Sequence, residues 1–474
     1  MLKNHKSIHL LAAAVVSLGL ATICETKAGA IPASSKVSEQ GKNINLSLKE
    51  IPIAGEKRRL SKVKKSPSVQ SHTKQLIEGL YSRNVDAASY FQQGVTQYNR
   101  GDYQGAEVSL RRALTYDPNI PMAYYLLGNA QAQQDKVQAA SASYQTALRL
   151  DPSMTEAYYN LGLSLYRQGL PEAAIAQFQR SLALNPKLPE AHYNIGLALE
   201  ALNRRDEAIA EYQQSVRLDP NNAAAQYNLG LALVKQEQTE PAIAAFRQAV
   251  KLDPKLAGAQ YQLGSLLSLQ NRVEEAQKAL GAAVTLDPNN AAAQYNLGVI
   301  FTQQGNYSAA ANRFRRAIAL NPNNVSAYRQ LGVALTADRN YKEAVTVLKQ
   351  AVLQEPSDAL THYNLAVALH RDKKLDDAIA EYKEAILLNP NLAEGFYNLG
   401  VALQQSQRPE DATAFIVEAR NLFAQQGKIQ KTQEVDKVLQ LIATPNPAVA
   451  PVLPAGAPFA PPSPTKDPSQ APTP

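Results

Sequence analysis

The sequence predicts an all-helical protein, an α-solenoid of ten helix-turn-helix units. Three observations carry that prediction. A period of 34 residues runs from Ala87 to Gln426 without an insertion. Each unit holds two amphipathic helical patterns separated by a break. Alanine returns at a fixed place in all ten units, and glycine and proline each return in nine of the ten.

The stretch from Thr155 to Leu188 shows the plan most plainly. In its first half Tyr158, Leu161, Gly162 and Leu165 lie on one helical face, and in its second half Ala174, Phe178, Ser181 and Leu182 do the same. Gly169-Leu170-Pro171 interrupts the two, and Pro186 ends the second, because proline has no N–H to donate and restricts the residue before it. A lone helix pair cannot hide its apolar stripe, whereas stacked copies cover one another.

The glycine recurs at Gly94, Gly128, Gly162, Gly196, Gly230, Gly264, Gly298 and Gly332, becomes Ala366, and returns at Gly400. The second helix carries alanine at Ala106, Ala140, Ala174, Ala208, Ala242, Ala276, Ala310, Ala344, Ala378 and Ala412. Both places are expected to let two helix backbones approach closely. The closing proline runs from Pro118 to Pro390 in the same step. Ala424 replaces it in the tenth unit, so that second helix is expected to run on.

This pattern resembles the tetratricopeptide repeat (TPR) family over 340 residues. The resemblance implies a right-handed superhelix of antiparallel helix pairs, with a concave groove lined by the first helices that holds a peptide or protein partner. The family's common tryptophan is absent. Its place is taken by Tyr124, Tyr158, Tyr328 and Phe396, by His192 and His362, and by Gln226, Gln260 and Gln294. The three glutamines are expected to weaken aromatic packing in the fifth to seventh units.

The ends differ from the array. Residues 1–30 read as a secretory signal peptide: Lys3 and Lys6, then an apolar run from Leu10 to Ile23, then Ala28-Gly29-Ala30 as a cleavage site. An uncleaved signal anchor is the alternative. Cys24 is the one cysteine, so no disulfide framework or zinc site is open to the chain. Residues 31–86 form a basic leader containing KRRLSKVKK at 57–65. Residues 1–85 carry fourteen Lys/Arg and five Glu, a net of +9 out of +7 for the whole chain, so the array itself is near −2. The leader is either a solvated segment or is drawn to an anionic membrane or wall surface. No nucleic-acid partner is expected of an exported segment. Residues 73–83 suit a short leading helix. Residues 427–443 are expected to cap the last pair, with Val435, Val438, Leu439 and Ile442 at helical spacing. Residues 444–474 contain eleven prolines and read as a disordered, extended tail.

No catalytic constellation, metal site, cofactor or small-molecule substrate is expected. His362 and His370 are eight apart but have no partner at metal-ligand spacing. The glycines lie inside helices rather than in a phosphate-cradling loop. The candidate site is a ladder on the first helices. It comprises Tyr125, Tyr159, Tyr193, Tyr227, Tyr261, Tyr295, Tyr363 and Tyr397, with Phe91 and Arg329 in the first and eighth units. The next residue is Asn160, Asn194, Asn228, Asn296, Asn364 or Asn398, with Gln262 and Gln330 between.

In the TPR family these places face the groove, and the asparagine ladder resembles that of O-linked N-acetylglucosamine transferase superhelices. There, asparagines hold peptide main chain, which an amide does by donating and accepting at once. On this reading the asparagines face water, and removing them leaves folding nearly intact. The alternative is that tyrosine and asparagine pack and solvate the first helix. A carboxylate clamp for acidic chaperone tails is not expected, because Leu163, Leu197 and Leu231 stand where Lys or Arg would be needed. The sequence therefore points to an exported scaffold that binds extended protein segments in the cell envelope. Alternatives are a structural envelope protein held by its ends, and an accessory subunit of an envelope glycosyltransferase or secretion machine.

Overall fold

The computed structural model describes Ser82 and residues 84–443. The signal-peptide reading, the basic run at 57–65, nearly all of the expected leading helix and the Pro-rich tail lie outside the described residues. The described residues fall into two compact units that divide between Asp253 and Pro254.

The first unit holds five helix pairs. They are α1 (Val85–Arg100) with α2 (Tyr103–Tyr116), α3 (Pro121–Gln133) with α4 (Val137–Leu150), and α5 (Thr155–Arg167) with α6 (Pro171–Leu184). Then come α7 (Pro189–Ala201) with α8 (Arg205–Leu218), and α9 (Ala223–Lys235) with α10 (Thr239–Leu252). The second unit opens with α11 (Ala257–Leu269) and α12 (Val273–Leu286), then α13 (Ala291–Gln303) and α14 (Tyr307–Leu320). It continues with α15 (Val325–Ala337) and α16 (Tyr341–Gln354), α17 (Ala359–Arg371) and α18 (Leu375–Leu388), and α19 (Ala393–Gln405) and α20 (Pro409–Gln425). It ends with α21 (Ile429–Ala443). No strand occurs among the described residues. Each unit is an α-solenoid, in which a first helix packs on its own second helix and on the helices of the repeat before it.

In most repeats the glycine makes room for a side chain; the close backbone approach expected from the sequence occurs at Gly94, Gly264 and Gly400, where an added Cβ would lie 2.9–3.3 Å from backbone atoms of the second helix. Sixteen residues after Gly162, the ring of Phe178 packs against it, and a Cβ there would sit 2.6 Å from the ring. Tyr144, Tyr212, Phe246 and Phe314 cover Gly128, Gly196, Gly230 and Gly298 in the same way. Leu110, Leu280, Leu348 and Ile416 do so in the repeats without a ring. The ninth repeat sets Ala366 against Tyr382, and both are fully buried. The alanine of the second helix is buried in all ten repeats.

Helix ends follow from local chemistry. Asn222, Asn290 and Asn324 cap α9, α13 and α15, each accepting from the backbone N–H three residues on at 2.9–3.0 Å. Pro121, Pro171, Pro189 and Pro409 open α3, α6, α7 and α20, where a missing N–H costs nothing. Without a closing proline, α20 runs for 17 residues against 14 in the other second helices.

The tryptophan replacements do more than fill space. Gln260, Gln294 and His362 each bond the carbonyl of the preceding closing proline: Pro254 at 3.4 Å, Pro288 at 3.1 Å and Pro356 at 3.0 Å. Gln260 and Gln294, expected to weaken aromatic packing, thus tie the closing turn to the next helix.

The two ends of the array are finished differently. On α1, Ser89, Gln92, Gln93 and Thr96 are exposed. The same places in the second repeat are Ala123, Leu126, Leu127 and Ala130, and three of those are buried. A terminal repeat needs such a polar outer face. At the other end α21 lies against α20, burying Val435 and Val438 with Ile416, Leu422 and Phe423.

One carboxylate in the first unit is heavily engaged. Burial favours the neutral form of Glu107, but Lys136 Nζ at 2.8 Å, Arg111 at 2.9 Å and Gln134 Nε2 at 3.1 Å all donate to it, which holds its pKa down at about 2. The charged form is thus preferred in the folded state. Its stabilisation is complete above the ordinary carboxylate range and is lost as pH falls from near 4.5 towards about 2. Acid unfolding of Glu107→Gln is expected to be flatter over that window, with roughly 2–3 kcal/mol less stability at neutral pH. Denaturant melts at a series of pH values measure both.

The turn inside each repeat places one residue in the left-handed region. It is glycine at Gly101, Gly169 and Gly305, and Asp135, Asn203, Glu237, Asn271, Arg339, Lys373 and Gln407 elsewhere, with φ between 58° and 81°. A side chain there carries a steric cost. Glu237→Gly and Arg339→Gly are expected to stabilise by about 0.5–1 kcal/mol each. Gly169→Ala should destabilise by a similar amount, although nothing lies within 4 Å of the added Cβ. Chemical denaturation of the three variants checks the sign of each.

Candidate functional site

Within each unit, ladder tyrosines are bonded to ladder asparagines of the following repeat. Six of the eight tyrosine rings lean on the aromatic residue of their own second helix, among them Tyr159 on Phe178 at 5.7 Å between centroids, Tyr193 on Tyr212 at 6.0 Å, Tyr227 on Phe246 at 5.8 Å and Tyr295 on Phe314 at 5.6 Å. Tyr125 and Tyr363 lean on Tyr144 and Tyr382 in the same way. The hydroxyl then reaches the following repeat. Asn194 Nδ2 donates to Tyr159 Oη at 2.9 Å, Asn228 to Tyr193 at 2.8 Å and Asn398 to Tyr363 at 2.9 Å. Asn160 donates to Tyr125 at 3.3 Å and to Asn129 Oδ1 at 2.9 Å, and Asn129 also accepts from Tyr144 at 2.8 Å.

The asparagines therefore do not face water. Asn160, Asn194, Asn228, Asn364 and Asn398 are all buried, and Asn296 is half-buried with its amide on Ser265 Oγ at 3.0 Å. The expectation that the ladder is wet is corrected on this point: the amides of Asn160, Asn194, Asn228 and Asn398 already donate to the tyrosine of the repeat before. Burial pushes the hydroxyls of Tyr125 and Tyr193 up to about 12, with the asparagine bonds partly offsetting it. Tyr261 is likewise raised to about 12 by burial. Tyr159, Tyr261, Tyr295 and Tyr363 are buried, whereas Tyr125, Tyr193, Tyr227 and Tyr397 keep part of their surface open.

What the first helices do expose is a neutral stripe. On α7 and α9, Tyr193 and Leu197, and Tyr227 and Leu231, sit one turn apart on the same face, all half-buried. Charges beside them are paired. Lys235 Nζ meets Glu200 at 3.2 Å, Tyr212 donates to the other oxygen of Glu200 at 2.7 Å, and Arg167 is bound to Asp135. In the eighth repeat Arg329 stands where tyrosine is expected and is paired with Asp358, both side chains being largely buried. His362 and His370 do not converge. His362 Nδ1 lies 2.6 Å from Glu381, and His370 Nε2 lies 2.9 Å from Gln405. Among the described residues no group of three His, Cys, Asp or Glu could hold a metal ion.

A profile described as TPR repeat matches residues 94–135, 132–169 and 372–407. A second, described as the C-terminal domain of cilia and flagella-associated protein 70, matches residues 152–368. The chain belongs to the tetratricopeptide repeat family. TPR arrays are protein-binding scaffolds, and this chain is one of them. No curated protein matches it. Among solved structures it is similar to YrrB, titled a TPR protein with an unusual peptide-binding site, at 26% identity over 42% of this chain and 99% of that one, TM-score 0.37. It is also similar to pilF of Pseudomonas aeruginosa, at 22% identity over 43% and 92%, TM-score 0.39. MamA of Desulfovibrio magneticus RS-1 matches at 26% identity over 36% and 96%, TM-score 0.33.

The bond between repeats is open to direct test in the first unit. Asn228→Ala and Tyr193→Phe are each expected to destabilise by about 1 kcal/mol. The double variant should cost about 1 kcal/mol less than the sum, because the two groups share one hydrogen bond. Circular-dichroism melts of the four proteins supply the cycle, and strict additivity would separate the two side chains energetically.

Proposed function

We propose that this TPR scaffold holds extended protein segments along the exposed faces of its first helices, outside the cytoplasm, and serves the assembly of cell-envelope complexes. The observation that carries the reading is the neutral stripe of Tyr193, Leu197, Tyr227 and Leu231, half-open on successive helices with the neighbouring charges paired. Neighbouring first helices stack roughly 10 Å apart, and an extended segment advances about 3.3 Å per residue. One repeat would meet about every third residue, which suits apolar contact and main-chain recognition better than a strict side-chain code.

The ladder tyrosines would supply the contact surface. The buried asparagines would act one step back, holding the tyrosine hydroxyls in place. Asn296, the most open of them, is the best placed to touch a segment directly. Export is supported by residues 1–30. The basic run at 57–65 favours association with anionic lipid or wall polymer.

The test is site-specific photo-crosslinking in the native cell. Benzoylphenylalanine replaces Tyr193 or Tyr227 on the first-helix face, and Gln179 on the outer face of α6. Adducts are expected from the first two positions and not from Gln179. Adducts confined to Gln179 would move the binding surface to the second helices. Sequencing the N-terminus of the same protein is expected to read from Ile31, and a product still starting at Met1 in the membrane pellet would establish an anchor.

A further inference from the structure

In the second unit the first-helix face changes character. Val299 on α13, Val333 on α15 and Val367 on α17 are half-buried at successive 34-residue steps. One turn on, Thr302 and Thr336 bend their hydroxyls back to the carbonyls of Gly298 and Gly332 at 3.0 and 2.8 Å. Those hydroxyls are thereby satisfied by their own helix. Arg329, on the same face, is neutralised by Asp358. In the third of these repeats the threonine place is His370, whose Nε2 lies 2.9 Å from Gln405 and whose burial favours the neutral ring. The result is an uncharged stripe of three valines crossing three consecutive repeats, flanked by threonine in two of them and histidine in the third.

The chain itself supplies a matching segment. Between Thr444 and Thr465 no residue is charged, and Val449, Val452, Leu453 and Phe459 are spaced among prolines. Seven of the residues at 445–462 are proline and lack an N–H, so the segment brings fewer donors that need a partner when it leaves water than an ordinary one of its length. A segment with charges or many free N–H groups would fit this stripe poorly.

Reach is not limiting. The segment follows α21, which closes the same unit, and α13 lies about four repeats, or ~40 Å, back from it. The residues after Ala443 number 31 and span at most ~100 Å when extended.

We propose that residues 445–462 lie along α13, α15 and α17 in the same molecule and compete there with protein partners. This rests on the reading of the first-helix faces as the binding surface. A ligand tethered so closely acts at an effective concentration of about 1 mM. Even weak docking would keep the face occupied, and a partner must bind more tightly to displace it.

The protein contains no tryptophan, so Phe459→Trp in the full chain introduces a single reporter. Blue-shifted emission with slow acrylamide quenching is expected, at an extent independent of protein concentration. Val333→Glu should return the emission to that of a solvated indole, and so should Thr336→Lys, which alters the stripe with less risk to the core. Circular dichroism confirms that each variant is folded. Excess free peptide of residues 445–462 should also expose the indole. A solvated indole in the unaltered stripe would overturn the proposal, as would a blue shift that both stripe variants leave intact. A blue shift that grows with concentration would overturn it in favour of docking on a second copy. If the indole is solvated while crosslinkers at Tyr193 and Tyr227 still capture partners, the tail proposal fails and the general reading stands. If both are silent, both fail.

Discussion

A large side chain laid across a glycine sets the separation of the two helices in nearly every repeat. With a Cβ at Gly162 the Phe178 ring would have to move, and the helix pair with it. The ring in turn supports the ladder tyrosine beside it, as Phe178 supports Tyr159. That tyrosine aims its hydroxyl at the asparagine of the next repeat. One chain of contacts therefore runs from glycine to ring to tyrosine to asparagine, and it crosses from one repeat to the next where Asn160, Asn194, Asn228 and Asn398 meet the preceding tyrosine. Substituting the glycine would disturb the pairing of helices first and the stacking of repeats second.

The second role of the ladder follows from the first. A tyrosine fixed by its ring and its hydroxyl has little rotamer freedom left to lose when something packs against its open edge. Tyr193, held by both its ring and its hydroxyl, would offer the proposed binding surface an edge that is ordered before any partner arrives, although the asparagine behind it is hidden. The exchange of tyrosine for Arg329 in the eighth repeat interrupts this arrangement, and its pairing with Asp358 keeps a lone charge from appearing on the face.

Much of this was legible in the sequence. The period, the helix pairs and the extended α20 follow from Gly, Ala and Pro at fixed steps, because each of those residues acts locally. The burial of Asn194 was not legible. Its partner Tyr159 is 35 residues away, one period plus one, and a Tyr-Asn pair reads the same whether the amide meets water or a neighbour. The left-handed turn residue was visible only at Gly101, Gly169 and Gly305; Glu237 and Arg339 adopt the same conformation with no sign in their residue type. The polar face of α1 was there to be read, since Ser89, Gln92 and Gln93 stand against Ala123, Leu126 and Leu127 one period later. It needed comparison between repeats rather than a reading along one helix.

Within each unit the main helix–helix contacts join helices no more than two places apart in the chain. Such an array has a mechanical character that a globular core lacks. Pulled from its ends, it would yield at the end repeats first, one at a time. Each departing repeat would free 34 residues, about 100 Å of new length, and leave its neighbours' internal contacts in place. Between two anchored ends it would behave as an extensible tether that shortens again when the load falls.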